Sequence, residues 1–215
     1  MAQAVIFDLD GTLADTLVDI AAAVNAALAR RGLPVHETAL YRRMVGDGFL
    51  ALATRALPEE LRPGTLAEEL RVEASALYAR GCLEATRPYP GVPELLAELG
   101  RRGVPMAVLS NKPHELTLRV TAGLFPGIPF RLVRGESPAF PRKPDPASAL
   151  DAAASLGAAP AATIYLGDSD VDMATALAAG MTALGAGWGF RGARELEAAG
   201  AKAVLATPGE LLDWT

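Results

Sequence analysis

Asp8-Leu9-Asp10-Gly11-Thr12, directly after the apolar run Ala4-Val5-Ile6-Phe7, decides how the rest of the chain is read. The apolar run has the length and composition of a buried strand. Two carboxylates at its end point to the same side, because residues i and i+2 of an extended segment share a face. Held that close, they repel each other unless a cation neutralises them or a reaction uses them. Gly11 lets the backbone turn sharply, and Thr12 offers a hydroxyl and an N–H to whatever the carboxylates face. A strand end followed by an Asx-turn would account for Asp10 alone, but not for the pair.

Working outward, three further segments supply parts that a phosphate-handling site needs. Val108-Leu109-Ser110-Asn111 ends a second apolar strand in a hydroxyl and an amide. Lys143-Pro144-Asp145-Pro146 sets a cation before a helix predicted to have Asp145 as its N-cap and Pro146 at its first position. Ile164-Tyr165-Leu166-Gly167-Asp168-Ser169 ends another strand in an acid, with Asp172 four residues on. Ligands of an open parallel sheet bind beyond the carboxyl ends of its strands, so these pieces are expected to converge there.

This ordered set resembles the haloacid dehalogenase superfamily of phosphohydrolases. Residues 8–12 match its first motif, Ser110 its second, Lys143 its third and Gly167–Asp172 its fourth. Residues 88–113 and 45–57 are similar to the phosphoglycolate phosphatase-like branch, so the resemblance covers essentially the whole chain.

Between residues 16 and 31, Leu17, Ile20, Ala21, Val24 and Leu28 recur at helical spacing, with Gly32 as a stop. Further helical stretches are predicted at Thr38–Met44, Phe49–Leu57 and Leu66–Leu83. Short apolar strands then alternate with helices: Pro105–Leu109, Phe130–Val133, Thr163–Leu166, Thr182–Leu184 and Ala203–Leu205. Alternation of this kind predicts an α/β fold, a Rossmann-like parallel sheet with helices on both faces. Residues 1–14 and 86–215 are expected to form that catalytic core, and 15–85 an inserted all-helical cap, as the resemblance also implies.

The composition fits a small enzyme. At 215 residues the chain holds one substantial core, or a core and a small insert. The mean hydropathy is +0.23, yet much of the apolar content is alanine and no apolar run is long enough to span a bilayer. The N-terminus enters the first strand almost at once, which speaks against a signal peptide. The single cysteine, Cys82, forms no internal disulfide, and a reducing cytoplasm is expected. A net charge of −5 argues against nucleic acid as a partner. The expected partner is a small phosphorylated metabolite, with no nucleic acid or membrane, for a monomer or homodimer.

The residue types set the expected chemistry. Asp8 is the candidate nucleophile, since a carboxylate can attack phosphorus and hold an aspartyl-phosphate. Asp10 is the candidate acid that protonates the departing alkoxide and then the base that activates water. Asp168, Asp8 and the Asp10 carbonyl make an oxygen-only set suited to Mg²⁺, with Asp172 behind it orienting metal-bound water or supporting Lys143. Ser110, Asn111 and Lys143, with N–H groups near Gly11 and Thr12, are expected to cradle the phosphoryl oxygens. By resemblance, the cap loop with Arg42, Arg43 and Gly46-Asp47-Gly48 is the nearest candidate to meet a substrate carboxylate. Arg43 is singled out.

Other readings have weaker support. A Ser110–His114 hydrolase pair lacks the Gly-x-Ser-x-Gly elbow. Gly185-Ala186-Gly187-Trp188-Gly189 lacks the full dinucleotide fingerprint and is expected as a loop near the pocket mouth, and the chain carries no P-loop. The leading expectation is a Mg²⁺-dependent phosphomonoesterase that hydrolyses a small phosphorylated metabolite through an aspartyl-phosphate, with 2-phosphoglycolate the substrate that the branch resemblance suggests. A pyrophosphatase, nucleotidase, phosphomutase or dehalogenase on the same fold follows, Asp10 disfavouring the last, which has no alkoxide to protonate. The non-enzyme alternative is a phosphate-sensing domain without catalysis.

Overall fold

Ala4–Phe7 forms the strand β1 that its unbroken apolar run predicts, and no side chain in it reaches solvent. A computed structural model describes residues 3–215. After β1 the chain forms a short strand β2 (Ala14–Asp15), then helices α1 (Leu17–Ala29), α2 (Gly48–Ala56) and α3 (Leu66–Gly81), and a short strand β3 (Arg87–Pro88) that pairs with β2. There follow α4 (Val92–Arg101), β4 (Met106–Pro113), α5 (His114–Leu124), β5 (Phe130–Glu136), α6 (Ala147–Leu156), β6 (Thr163–Gly167), α7 (Asp170–Ala178), β7 (Thr182–Ala186), α8 (Ala193–Ala198) and β8 (Ala203–Leu205). Two compact units result: Met1–Asp15 with Pro88–Thr215, and Thr16–Arg87.

The first unit is built on a six-stranded parallel sheet in the order β5-β4-β1-β6-β7-β8. The chain winds outward from β1 through β4 to β5, then returns to β6 on the other side. The strand order therefore reverses beside β1, and the crevice at such a point is where α/β sheets bind ligands. On one face, Ile6, Ala107, Leu109, Tyr165 and Ala183 pack with Ala149, Ala152 and Leu156 of α6, Met173 and Ala176 of α7 and Leu196 of α8. Val5, Phe7, Val108 and Leu166, of the opposite parity, are equally buried, so both faces are covered.

Four strands run past their predicted ends, β6 by one residue to Gly167, β7 by two to Ala186, and β4 and β5 by more. β4 continues through Ser110, Asn111 and Lys112 to Pro113, and β5 continues to Glu136, where Pro113 pairs with Glu136 across an irregular register. A ladder needs backbone groups rather than apolar side chains, so the sheet outlasts the apolar runs that announce it.

The second unit is helical. α1 and α3 provide its longer helices, and the predicted Thr38–Met44 helix is a 3₁₀ helix over Thr38–Arg43. Asp19, in the first turn of α1, accepts bonds from the N–H groups of Ala85 (2.9 Å) and Thr86 (2.8 Å) and from the Thr86 hydroxyl (2.7 Å), tying the start of the unit to its end. Asn25 holds the loop before the 3₁₀ helix by donating to the His36 carbonyl (2.8 Å) and accepting from its N–H (3.0 Å) and from the Tyr41 hydroxyl (2.7 Å). Among the described residues, no helix is long and apolar enough to cross a membrane.

Candidate active site

The carboxyl ends of β1, β4 and β6 bring together side chains that lie far apart in sequence. Lys143, on the loop before α6, is buried with its Nζ 2.8 Å from Asp8 Oδ1 and 2.7 Å from Asp172 Oδ1, and it donates to the Leu109 carbonyl at 3.3 Å. Asp172 is wholly buried at the third position of α7. Its second oxygen accepts from the Ser169 N–H (3.1 Å) and hydroxyl (2.6 Å) in a reciprocal cap of that helix. The cap packs so closely on β6 that a Cβ at Gly167 would stand 2.3 Å from Asp172 Cβ.

Asp168, one residue past β6, is buried against the turn after β1. Its carboxylate accepts from the Phe190 N–H at 2.7 Å and lies 3.4 Å from the Thr12 hydroxyl. Gly11 adopts φ +88°, and a Cβ there would come within 2.1 Å of Asp168 Oδ2. Gly189 is equally constrained, since its Cβ would meet Asp168 Cβ at 2.3 Å and the Gly11 carbonyl at 2.4 Å. The loop expected only near the pocket mouth therefore braces the site: Trp188 Nε1 also donates to the Thr12 carbonyl at 2.9 Å.

Asp8, Asp168 and Asp172 each present an oxygen within 4.8 Å of the others, all three residues being buried. Burial pushes the Asp8 carboxyl up to about 7, the Asp172 charge adds to the rise, and Lys143 opposes it. Burial likewise raises Asp168 well above the usual carboxylate range, helped by Asp172 and Asp8. At Lys143, burial works against the ammonium, yet Asp172 and Asp8 outweigh it and hold the lysine well above its ordinary value. Three carboxylates face one ammonium, leaving two negative charges uncompensated when all are ionised. No basic side chain among the described residues is paired with Asp168. A hard divalent cation fits this oxygen-only donor set and balances its charge.

A second lysine, missed in the sequence, sits beside the other carboxylate. Lys112 Nζ lies 2.5 and 2.7 Å from the two oxygens of Asp10, and its side chain has no exposure. The signal was there: in an extended β4, Ser110 and Lys112 share one face. Asn111, of the other parity, donates to the Lys143 carbonyl (3.1 Å) and accepts from its N–H (2.9 Å). Its amide, grouped with the phosphoryl cradle in the sequence reading, thus fixes the backbone that carries Lys143. The Ser110 hydroxyl accepts from the Lys112 N–H at 3.2 Å, while His114 Nδ1 accepts from Gly135 N–H at 3.2 Å, so the two do not form a hydrolase pair.

Asp145, exposed, accepts from the Ala147 N–H at 2.9 Å, and the helix starts at Ala147, one residue after Pro146. Arg42 and Arg43 are exposed at the end of the 3₁₀ helix in the second unit. The loop after them is held by Arg55, which pairs with Asp47 and donates to the Met44 carbonyl at 2.9 Å.

Comparison with known proteins agrees with this arrangement. The family model described as haloacid dehalogenase-like hydrolase matches residues 5–186. A phosphoglycolate phosphatase of Rhodospirillum rubrum is 36% identical over 100% of this chain and 91% of its own length, and one of Pseudomonas putida is 34% identical over 92% and 74%. A solved structure from Lactobacillus delbrueckii subsp. bulgaricus, proposed to be a phosphoglycolate phosphatase, superposes with a TM-score of 0.93 at 30% identity, covering 100% of this chain and 98% of that one. CbbY from Rhodobacter sphaeroides, solved in complex with phosphate, gives 0.81 at 25% identity, covering 98% and 96%.

Proposed function

The chain belongs to the haloacid dehalogenase-like hydrolase family, and on that footing we propose that it is a Mg²⁺-dependent phosphomonoesterase whose preferred substrate is 2-phosphoglycolate. The observation that carries the reading is the Asp8 carboxylate, held 2.8 Å from a buried lysine and followed two residues later by a second carboxylate. Curated relatives bearing the phosphoglycolate phosphatase name support the substrate class.

On this reading an oxygen of Asp8 attacks phosphorus in line with the departing alkoxide, and Asp10, which carries a proton when the substrate is bound, gives that proton to the leaving oxygen. The phosphoryl group then rests on Asp8 as an acyl phosphate, and Asp10 takes a proton from the water that displaces it, regenerating both carboxylates in their starting states. Lys143 holds the nucleophile and offers positive charge to the phosphoryl oxygens, which the Ser110 hydroxyl also meets, whereas the N–H groups of Gly11 and Thr12, expected in that cradle, donate instead to the Ala14 (2.9 Å) and Leu9 (3.4 Å) carbonyls and close the turn. Asp8, Asp168 and the Asp10 carbonyl, with Asp172 behind them, would hold Mg²⁺, which when bound would neutralise the buried acids and polarise the phosphoryl group. Lys143 retains its partner Asp172 while Asp8 changes covalent state, which keeps the ammonium in place through both steps.

Residues 15–85 are read as the cap that selects the substrate, with Arg43 as the candidate donor to a substrate carboxylate. The enzyme is assigned to the cytoplasm, as a monomer or homodimer acting on a small phosphorylated metabolite. A screen of phosphorylated metabolites ranked by kcat/KM tests this, and 2-phosphoglycolate is expected among the best. Preference for a nucleotide or pyrophosphate by more than about tenfold, ~1.4 kcal/mol of transition-state stabilisation, replaces the substrate assignment.

A further inference from the structure

We propose that Lys112 is the positioning residue for Asp10: its buried ammonium grips both oxygens of that carboxylate and sets where the catalytic acid–base group stands relative to Asp8. The role at stake rests on the reading of Asp10 given above, while the placement itself rests on geometry alone.

β1 and β4 are neighbours, with Phe7 opposite Val108, so the two chain segments leave the sheet side by side. Asp10 lies beyond the last paired residue of β1, in the turn that Gly11 opens, and its side chain is 11% exposed. A short side chain on such a turn has several rotamers open to it, and only one of them suits proton transfer at a fixed point. Lys112, by contrast, is on β4 between the paired residues Leu109 and Pro113, where the register with β5 is irregular, and its backbone is anchored by the Thr117 hydroxyl, which donates to its carbonyl at 3.1 Å. Its side chain carries no exposure, and the Ser110 hydroxyl accepts its backbone N–H. The two-point contact therefore ties the turn to this anchored segment of β4.

A lysine ammonium with no solvent exposure is costly to bury, and an apolar residue of similar volume would avoid that cost. Stability alone therefore gives little reason for a lysine here. Lys143 and Lys112 divide the work: the former holds the group that bonds to phosphorus, the latter the group that moves protons.

The test uses the full chain with Mg²⁺ and the variants Lys112→Met, Lys112→Arg, Asp10→Asn and the double variant Asp10→Asn/Lys112→Met. With 2-phosphoglycolate, Lys112→Met is expected to lower kcat by ~10²-fold, the scale of a displaced catalytic group, while KM stays within about threefold. Lys112→Arg is expected to recover most of that loss. In the Asp10→Asn background the Lys112→Met change is expected to cost less than about threefold, because a residue acting through Asp10 has nothing left to act on. Crystal structures of Lys112→Met and Lys112→Arg provide a readout independent of turnover: the Asp10 carboxylate should move or split into several conformers in the first and stay in place in the second. An Asp10 that keeps its place in Lys112→Met, or a loss that multiplies fully with Asp10→Asn, overturns the proposal. A wild-type protein that hydrolyses no phosphate ester, with Asp10 still displaced in Lys112→Met, overturns the function and leaves the placement standing.

Discussion

Asp8 and Asp10 are two residues apart, and each is paired with a buried lysine, yet their surroundings differ in kind. Asp8 shares Lys143 with Asp172 and stands near Asp168, so this region carries two more negative charges than positive when ionised. Asp10 and Lys112 form a pair that balances itself. The net charge of the first region suits it to receive positive charge, and on the proposed function it changes charge during the reaction. The second is built to hold a group still.

The largest effect expected from breaking this comparison is on activity. Asp8→Asn should reduce turnover by more than about 10⁴-fold and abolish the phosphoenzyme, measured by rapid quench, because an amide is a poor nucleophile. Unaltered activity would remove Asp8 from its role. The same substitution takes one charge from the net-negative region, so the metal-free variant should unfold at a temperature no lower than wild type near pH 8.

Asp10→Asn should lower turnover by ~10²–10⁴-fold, the range for general acid–base catalysis. Its loss in phosphoenzyme formation should be smallest for p-nitrophenyl phosphate, whose leaving group needs no proton. Here stability should move the other way. An amide leaves the Lys112 ammonium buried without its counter-charge, at a cost of about 2 kcal/mol, less than for a fully buried pair because Asp10 retains some contact with water. Chemical denaturation of the two variants without metal reads the opposite signs directly, and equal shifts would mean that the two regions do not differ in this way.

Metal and pH sharpen the same contrast. The folded Asp8 carboxyl is raised from 3.8 to about 7, and Asp168 is raised as well, so the metal-free folded state holds protons that the unfolded chain has released. Stability from this source is present below about pH 4 and is lost as pH rises through about 7. Thermal unfolding in a chelator should therefore fall between about pH 5 and about pH 8, and Mg²⁺ should flatten the decline by binding the ionised cluster of the folded state alone. A chelated protein that keeps full activity, or a slope that Mg²⁺ leaves unchanged, speaks against the cluster as a metal site.

Gly189→Ala gives the smallest and most local effect. The added Cβ meets Asp168 and the Gly11 carbonyl, forcing the Asp168 carboxylate to shift while every charge remains. Mg²⁺ affinity by titration calorimetry should weaken by ~10-fold, at the low end of the range for groups that orient metal ligands. The Asp10–Lys112 pair should be undisturbed, and an effect on Asp10 as large as that on Mg²⁺ would show the two regions to be coupled.

Much of this molecule is legible in the order of its residues. β1 is present at its predicted bounds, the later strands alternate with helices as their apolar runs imply, and Asp8, Lys143, Asp168 and Asp172 meet at the carboxyl ends of those strands. Signals of this kind are local: an apolar run, a helical period, a charged residue where a strand stops. The remainder required strand order and register. Lys112 meets Asp10 across 102 residues because β4 is β1's neighbour and outlasts its apolar run, Asn111 is turned onto Lys143 by the same extension, and Gly189 is needed because a distant loop closes on Asp168. Which buried charge a lysine satisfies is decided by the segment the sheet brings alongside it, and no pattern confined to one segment contains that neighbour.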